Sequence, residues 1–186
     1  MARGTGGPRA ALVLLIVAAV ALGAGWWSGT QSLADRATGA PTRPADAFAL
    51  TVASVWDGDT LRATLDRPNA VVESAGELKV RLIGIDTPER SPVEECGALD
   101  ARDALLALAP VGSTVWAAPD ADPRDRYDRW LFYLWTDDGR FINERLTASG
   151  DAEPLSFEPN TTYAGLLAAS ARGAREAGLG QWGACD

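Results

Sequence analysis

The stretch from Arg81 to Glu89, Arg-Leu-Ile-Gly-Ile-Asp-Thr-Pro-Glu, constrains the fold of this chain more than any other. Apolar residues at 78, 80 and 82 alternate with basic residues at 79 and 81, which is the period of a strand with one buried face. Gly84 then allows the backbone to change direction. Because Thr87 precedes a proline, its backbone is held extended. Asp86, the Thr87 carbonyl and Glu89 are therefore expected to project into one pocket at the strand end.

A second acidic turn, Val55-Trp-Asp-Gly-Asp-Thr60, lies between two strand-like runs and supplies Asp57 and Asp59. Carboxylates together with a main-chain carbonyl are the oxygen ligands that a hard cation such as Ca²⁺ prefers. Taken alone, however, Asp-Gly is also the commonest signal for a hairpin turn. The turn by itself leaves both interpretations open.

The 186-residue chain contains no histidine, and this absence excludes several classes of site. No Ser-His or Cys-His nucleophile, no histidine general base and no histidine-ligated metal centre can be built from it. Proton transfer must use carboxylates, arginines, tyrosines or a metal-bound water. The length allows one domain with an extension, and a hydrophobic fraction of 47% is sufficient for a folded core.

The net charge of −8 is unevenly distributed along the chain. Residues 1–45 carry +3, whereas residues 46–186 carry 13 basic and 24 acidic side chains. Because phosphate backbones are bound chiefly through Lys and Arg, this balance predicts weak non-specific affinity for nucleic acid. The interpretation that we favour for the acidity is solubility in an exposed compartment.

The amino-terminal segment has the composition of an export signal. Arg3 and Arg9 precede an apolar run that extends to a tryptophan pair at 26 and 27. Eighteen helical residues span roughly 27 Å, close to a hydrocarbon core, and tryptophans favour its interface. Residues 1–27 are predicted to be a cleaved signal peptide or an uncleaved anchor with a cytoplasmic amino terminus. The remainder is then extracellular or anchored to the outer face of the membrane.

Residues 28–45 are rich in Ser, Thr, Gly, Ala and Pro and predict a flexible linker before a folded domain over 46–186. In that domain, alternating apolar residues predict five strands, which begin near Phe48, Leu61, Glu77, Thr114 and Trp130.

Three segments of the domain have helical spacing. The first is Ala98–Leu108, with Leu99 among the residues facing the core, and the second runs over 141–149. The third is expected to be capped by Thr161 or Thr162 and to reach Ala177. Five short strands with about three helices predict an α+β, mainly β fold built on a small closed barrel.

Three blocks resemble the staphylococcal nuclease, or thermonuclease-like, family: Asp59-Thr60, Arg81 to Glu89, and Asp125-Arg-Tyr-Asp-Arg129. The resemblance covers about the last three quarters of the chain. It implies that the barrel is an OB-fold. It also implies an exported, Ca²⁺-dependent nuclease that hydrolyses phosphodiester bonds of DNA, and potentially of RNA, by metal-assisted attack of water.

The same resemblance implies a metal site. Asp59 and Asp86 correspond to direct Ca²⁺ ligands, with Thr87 contributing its carbonyl. Asp57 is expected near the ion but outside its ligand set.

The resemblance further implies the catalytic and substrate-binding residues. Glu89 is expected to position or activate the attacking water. Arg81 and Arg129 are expected to grip the phosphate through their planar guanidinium groups, which a lysine would not reproduce. Tyr127 and Phe157 are the expected substrate-binding aromatics.

Two positions depart from the family pattern. Asp128 replaces a usual glycine, which adds a negative charge beside Arg129 and removes a residue tolerant of unusual backbone angles. Leu155 and Phe157 stand where the best-known member has two tyrosines around the nucleotide base. Phe157 can still stack, but a phenolic hydrogen bond is lost. Weak nucleotide affinity is expected even with the chemistry intact.

Cys96 and Cys185 are the only cysteines in the sequence. In an exported chain they are expected to pair, whereas in the cytosol both would be free. The pairing that we predict is intramolecular, and an intermolecular bridge is the alternative.

A second hypothesis remains beside the nuclease. The chain would then be a non-catalytic OB-fold module, tethered at the cell surface, that binds an oligonucleotide or a protein. The joint presence of Asp59, Arg81, Asp86, Glu89 and Arg129 favours the enzyme. Nothing in the sequence requires more than a monomer.

Overall fold

The computed structural model describes Met1 and residues 39–185, and within them five strands close a barrel. The barrel strands are β1 (Phe48–Val55), β2 (Thr60–Leu65), β3 (Gly76–Leu82), β5 (Thr114–Ala118) and β6 (Trp130–Thr136). They follow the order β1-β2-β3-β6-β5 around the barrel. All neighbours are antiparallel except β3 and β6, which are parallel. A separate two-stranded sheet pairs β4 (Ile85–Asp86) with β7 (Glu153–Pro154).

Three helices of two turns or more accompany the barrel in the described residues. They are α1 (Ala98–Leu108), α2 (Ile142–Ser149) and α3 (Ala164–Glu176). A single turn, α4 (Gln181–Ala184), follows near the carboxyl end. The predicted mainly β barrel with about three helices is confirmed.

The barrel interior is filled by the alternating apolar residues of its strands. Leu61 and Ala63 of β2 and Val80 of β3 are fully buried, as the two-residue period requires. A group of aromatic rings lies between β6 and the helices. The Trp135 ring stacks on Phe141 with centroids 4.7 Å apart, and together they pack α2 and α3 against the barrel.

Two details of the predicted helices are wrong. Leu99 does not face the core, since it is 47% exposed and α1 instead buries Ala98, Ala101 and Leu105. Small residues on this face permit a close approach of other main chain, which larger leucines would prevent. The last helix starts after Tyr163 and has no side-chain cap. The Thr162 hydroxyl instead donates to Asp120 Oδ1 at 2.9 Å, which ties the helix start to the loop after β5.

The predicted signal or anchor segment, residues 1–27, lies outside the described residues apart from Met1. Among the helices that the structure describes, none is long and apolar enough to cross a membrane. Part of the predicted linker does contact the barrel. Trp135 Nε1 donates to the Pro41 carbonyl at 3.1 Å, and the Arg43 guanidinium lies 3.9 Å from the centre of the Trp116 ring.

Cys96 and Cys185 form a disulfide bond, with their Cα atoms 5.8 Å apart. The bond joins the loop before α1 to the end of α4. It closes a covalent loop across a sequence separation of 89 residues.

Loss of this disulfide is expected to lower the free energy of unfolding by about 4 kcal/mol, because the unfolded chain regains the entropy of an open loop. Urea unfolding of oxidised and reduced protein measures the difference. A Cys96→Ser/Cys185→Ser variant is the control, since reductant should not alter its unfolding. Coincident curves for oxidised and reduced wild type would contradict the expectation.

Candidate active site

The turn between β1 and β2 is shaped by Asp57. Its Oδ1 accepts hydrogen bonds from the main-chain N–H groups of Asp59, at 3.1 Å, and Thr60, at 2.6 Å. A Cβ on Gly58 would lie 2.7 Å from the Ala101 Cβ, so glycine is required where the turn packs on α1. The turn therefore holds the Asp59 side chain in one place.

Asp59 links this turn to the end of β4. Its carboxylate is only 5% exposed. Oδ2 accepts from the Thr87 main-chain N–H at 3.1 Å and from the Thr87 hydroxyl at 3.2 Å, and Oδ1 accepts from the Thr60 hydroxyl at 3.0 Å. Burial raises the pKa of Asp59 to about 7, although the nearby Arg81 guanidinium acts in the opposite direction. The single arginine therefore does not fully offset the cost of burying this carboxylate.

Arg81 is the centre of the hydrogen-bond network. Its Nε lies 2.9 Å from Asp59 Oδ1 and its Nη2 lies 2.8 Å from Asp86 Oδ1. Nη1 donates to the carbonyls of Leu82, at 2.6 Å, and Ile85, at 2.7 Å. Four of the five N–H groups of the guanidinium are thus engaged, and one on Nη2 remains.

Glu89 lies three residues beyond Asp86 on an exposed loop. Its main chain is paired with Glu95, because Glu89 N–H donates to Glu95 Oε2 and Glu95 N–H donates to the Glu89 carbonyl, both at 2.9 Å. Burial raises the pKa of Glu89, and the charges of Asp57 and Asp86 raise it further. Asp57 and Asp86 therefore lie close enough to Glu89 for their charges to act on its carboxyl group.

The predicted metal ligands form a small set of oxygen donors. Asp59, Asp86 and the Thr87 carbonyl offer only oxygen, as Ca²⁺ or Mg²⁺ prefers. Within residues 39–185, no group of three or more acidic or cysteine side chains is arranged to hold a metal ion. Two carboxylates and one carbonyl are fewer oxygens than Ca²⁺ takes. A cation held here would therefore need further oxygens from water and substrate.

Arg129 is held by a second turn, between β5 and β6. Asp125 Oδ1 accepts from the main-chain N–H groups of Tyr127 and Arg129, both at 2.9 Å, and Asp125 Oδ2 accepts from Arg129 Nε at 2.7 Å. Burial alone would raise the pKa of Asp125, but these hydrogen bonds and the Arg129 charge lower it overall. Within the described part of the chain, Arg129 donates hydrogen bonds only through its main-chain N and its Nε. Both terminal nitrogens remain available.

Asp128 has a different neighbour from the one that the sequence suggests. Its carboxylate pairs with Arg124, and not with Arg129. Its φ of +63° is the only positive value at a non-glycine residue in the part of the chain that the structure describes. The turn thus keeps the left-handed backbone of the usual glycine, at the cost of strain in an aspartate.

The two arginines meet in one groove of about 500 Å³. Arg81 and Arg129 line it together with the exposed aromatics Tyr127 and Phe157, and Leu155 lies beside them. Glu89, Asp59 and Asp86 do not line the groove, but Asp59 and Asp86 are bonded to Arg81, which does. We call Asp57, Asp59, Asp86 and Glu89 the carboxylate cluster. The groove and this cluster are neighbours, because Arg81 contacts both.

Two residues that shape the groove have no role assigned from sequence. Asp125 orients Arg129, and its position before a tight turn is a signal that an aspartate accepts main-chain N–H groups. Asn160 accepts from Asp122 N–H and donates to the Asp122 carbonyl, both at 2.8 Å, which joins the two walls of the groove. No local sequence pattern indicates the Asn160 contact, because its partner is 38 positions away.

Comparisons with known proteins agree with this architecture. Residues 79–184 match the family described as staphylococcal nuclease homologue. The thermonuclease of Staphylococcus intermedius is 31% identical over 136 residues, which cover 70% of this chain and 74% of the thermonuclease.

Two further relatives are longer than the matched region. The SPbeta prophage-derived endonuclease YokF of Bacillus subtilis is 33% identical over 111 residues, covering 58% of this chain and 34% of that protein. The succinoglycan biosynthesis protein ExoI of Rhizobium meliloti is 32% identical over 140 residues, covering 70% of this chain and 62% of that protein. With the family match over more than half of the chain and the barrel that carries it, this chain belongs to the staphylococcal nuclease family.

Proposed function

We propose that this protein is a calcium-dependent nuclease whose active site lies at the junction of the groove and the carboxylate cluster. As a member of the staphylococcal nuclease family, it is a hydrolase that acts on the phosphodiester bonds of nucleic acid. The observation that carries the location is the position of Arg81. This residue lines the groove together with Arg129, Tyr127 and Phe157, and it is bonded to two of the carboxylates.

Phosphate binding is proposed to rest mainly on Arg129. Its two terminal nitrogens are available as a fork, which matches two oxygens of a phosphate. Arg81 has one N–H left and is 12% exposed, so it adds a single donor from the side of the carboxylates. The two guanidiniums would then stabilise the charge that develops on the phosphoryl oxygens during hydrolysis.

The nucleases of this family depend on a metal ion, and we propose Ca²⁺ here. Asp59, Asp86 and the Thr87 carbonyl would hold it, with Asp57 shaping the turn beneath. The bound ion would supply charge neutralisation at a phosphoryl oxygen. Calcium is favoured over smaller ions because it accepts irregular coordination geometry, whereas Mg²⁺ demands a near-ideal octahedron.

Glu89 is proposed as the residue that orients the attacking water. Its side chain accepts no hydrogen bond from the described residues, while its main chain is held at both N–H and carbonyl by Glu95. The main chain of Glu89 is thus held in place, while its carboxylate keeps its hydrogen-bonding capacity for a water. A general base needs this combination, since it must reach a water without a competing partner.

The distribution of charge supports nucleic acid as the ligand of the groove in an otherwise acidic chain. Four of the arginines line the groove, namely Arg81, Arg124, Arg126 and Arg129. Tyr127 and Phe157 are exposed aromatic residues on which bases can stack, and such stacking is tolerant of base identity. The Arg126 guanidinium lies 4.7 Å from the centre of the Tyr127 ring, so this ring already carries a cation beside it. We propose single-stranded or frayed DNA as substrate, with RNA as a second substrate, cleaved by a monomer.

Export of the domain is part of the proposal. The apolar segment over residues 10–27 has the composition of a signal or an anchor. The disulfide between Cys96 and Cys185 supports an oxidising compartment.

Single-stranded DNA cleavage with and without Ca²⁺ tests the function. We expect cleavage with Ca²⁺ and none with a chelator. We expect Glu89→Gln to reduce the rate by about 10²- to 10⁴-fold, because the amide cannot accept the proton of water. Glu94→Gln, on the same exposed loop, is the matched control and should cleave like the wild type. Folded wild-type protein that binds oligonucleotide but never cleaves it would instead indicate a non-catalytic OB-fold module.

Arg129→Lys tests whether phosphate binding requires the two parallel donors of the Arg129 guanidinium. We expect the rate of cleavage to fall by about 10²- to 10³-fold, since a lysine cannot donate to two oxygens in parallel. Arg126→Lys is the control, because Arg126 lines the same groove and pairs with the Tyr127 hydroxyl. Equal losses in the two variants would count against a special role for Arg129.

Asp128→Gly tests the strained turn. We expect the free energy of unfolding to rise by up to about 1 kcal/mol, because glycine adopts a positive φ without steric cost. Chemical unfolding of both proteins measures the change. Asp66→Gly is the control, since Asp66 lies in an exposed turn without a positive φ and glycine there should destabilise. A loss of stability in Asp128→Gly would show that the pair with Arg124 outweighs the strain.

A further inference from the structure

Trp56 is an exposed tryptophan beside the carboxylate cluster. It lies in the turn between β1 and β2, directly before Asp57, and 65% of it is exposed. Its main-chain N–H donates to the Thr60 carbonyl at 2.9 Å, so the residue closes the same turn that presents Asp59. The backbone is therefore fixed while the indole is left in water. Among the described residues, Trp56 belongs neither to the buried core nor to the hydrophobic side chains packed against it.

Arg90 is bonded to the same residue. Its Nη1 donates to the Trp56 carbonyl at 2.8 Å. Arg90 follows Glu89 directly and is itself exposed. The contact joins the two loops that carry the predicted catalytic carboxylates, and it holds a guanidinium at the main chain of the residue whose indole is exposed. An exposed ring with a neighbouring cation is the combination by which proteins hold a base and its phosphate.

This pair lies outside the groove. Neither Trp56 nor Arg90 lines the groove that contains Tyr127 and Phe157. From the groove, the path of contacts runs through Arg81 to Asp59, and from there along the turn to Trp56. The carboxylate cluster is consequently flanked by aromatic side chains in two places.

We propose that Trp56 and Arg90 form a second nucleotide subsite. The indole stacks on the base of the nucleotide that lies across the cleaved phosphate from Tyr127 and Phe157, and Arg90 contacts the adjoining phosphate. The proposal rests on the proposed position of the active site. Its physical basis is that cleavage within a strand leaves a nucleotide on each side of the reacting phosphate, whereas the groove supplies aromatics for one side only.

Charge complementarity favours a nucleotide as the occupant. The cluster contains Asp57, Asp59, Asp86 and Glu89, so an anionic strand beyond it needs a local cation, which Arg90 provides. Val93 is also exposed on the neighbouring loop, but it offers neither a flat ring nor a charge. A purely apolar partner would therefore make no use of the Arg90 charge.

Binding of labelled oligothymidylates to the full-length protein, measured by fluorescence anisotropy in a chelator, tests the subsite without any cleavage. A dinucleotide and a strand of about eight nucleotides are compared. We expect Trp56→Ala to weaken binding of the longer strand by about 5- to 150-fold, the range for loss of one stacked base. Binding of the dinucleotide should change less than about twofold, because it fits within the groove.

Two variants make the result specific. Trp56→Phe should restore most of the affinity, because a phenyl ring also stacks, and Val93→Ala should bind like the wild type. Arg90→Gln should lower the slope of log affinity against log salt by about 1, as expected for one phosphate contact.

The outcomes separate this proposal from the function. If Trp56→Ala binds both strands like the wild type, or weakens both equally, the subsite is wrong, while cleavage by the wild type would still support the nuclease. If the wild type fails to cleave but Trp56→Ala selectively loses the longer strand, the subsite stands and the catalytic proposal fails. Absence of any oligonucleotide binding by the wild type overturns the subsite, and the cleavage assay with Ca²⁺ then decides the nuclease separately.

Discussion

The Arg81 guanidinium is the interaction on which the rest of the site depends. It binds the carboxylates of Asp59 and Asp86 and the carbonyls of Leu82 and Ile85, so one side chain joins the start of β2 to the turn after β3. Asp59 is buried and has no other cation at hydrogen-bond distance in the described chain. Its burial is tolerable because the arginine partly neutralises it. The same contact positions Arg81 at the groove, so in the proposed site one group serves both stability and phosphate binding.

How well the sequence predicts a structural feature depends on how far apart in the chain the residues that contact one another lie. Strands β2 and β3 and helix α1 follow local periodicity, and each starts within one residue of the expected position. The exposure of Leu99 was not predictable, because the face that α1 buries is chosen by the close packing of Gly58 against Ala101. Tertiary contact here overrides the preference of leucine for the interior.

The candidate site divides in the same way. The acidic turns and both arginines can be recognised as sequence motifs. The pairing of Asp128 with Arg124 cannot, because it depends on a left-handed backbone that no motif predicts for an aspartate. Strands of two residues, such as β4 and β7, are too short to show a period. The hydrogen bonds of Asn160 lie beyond any local pattern, since they join loops that meet only in the folded chain.

The parallel pairing of β3 with β6 has a consequence for how this protein acquires its activity. Val80 pairs with Trp130 and Arg81 with Leu131, so strands some fifty positions apart in the chain must meet before Arg81 and Arg129 share a groove. Contacts of such long range carry a high entropic cost and form late. In a chain that stopped folding before this closure, the carboxylate cluster would lie in the amino-terminal part of the domain and Arg129, the proposed phosphate-binding residue, in the carboxyl-terminal part. The two would then share no surface. Turnover in this protein is thus also a report on whether its barrel has closed.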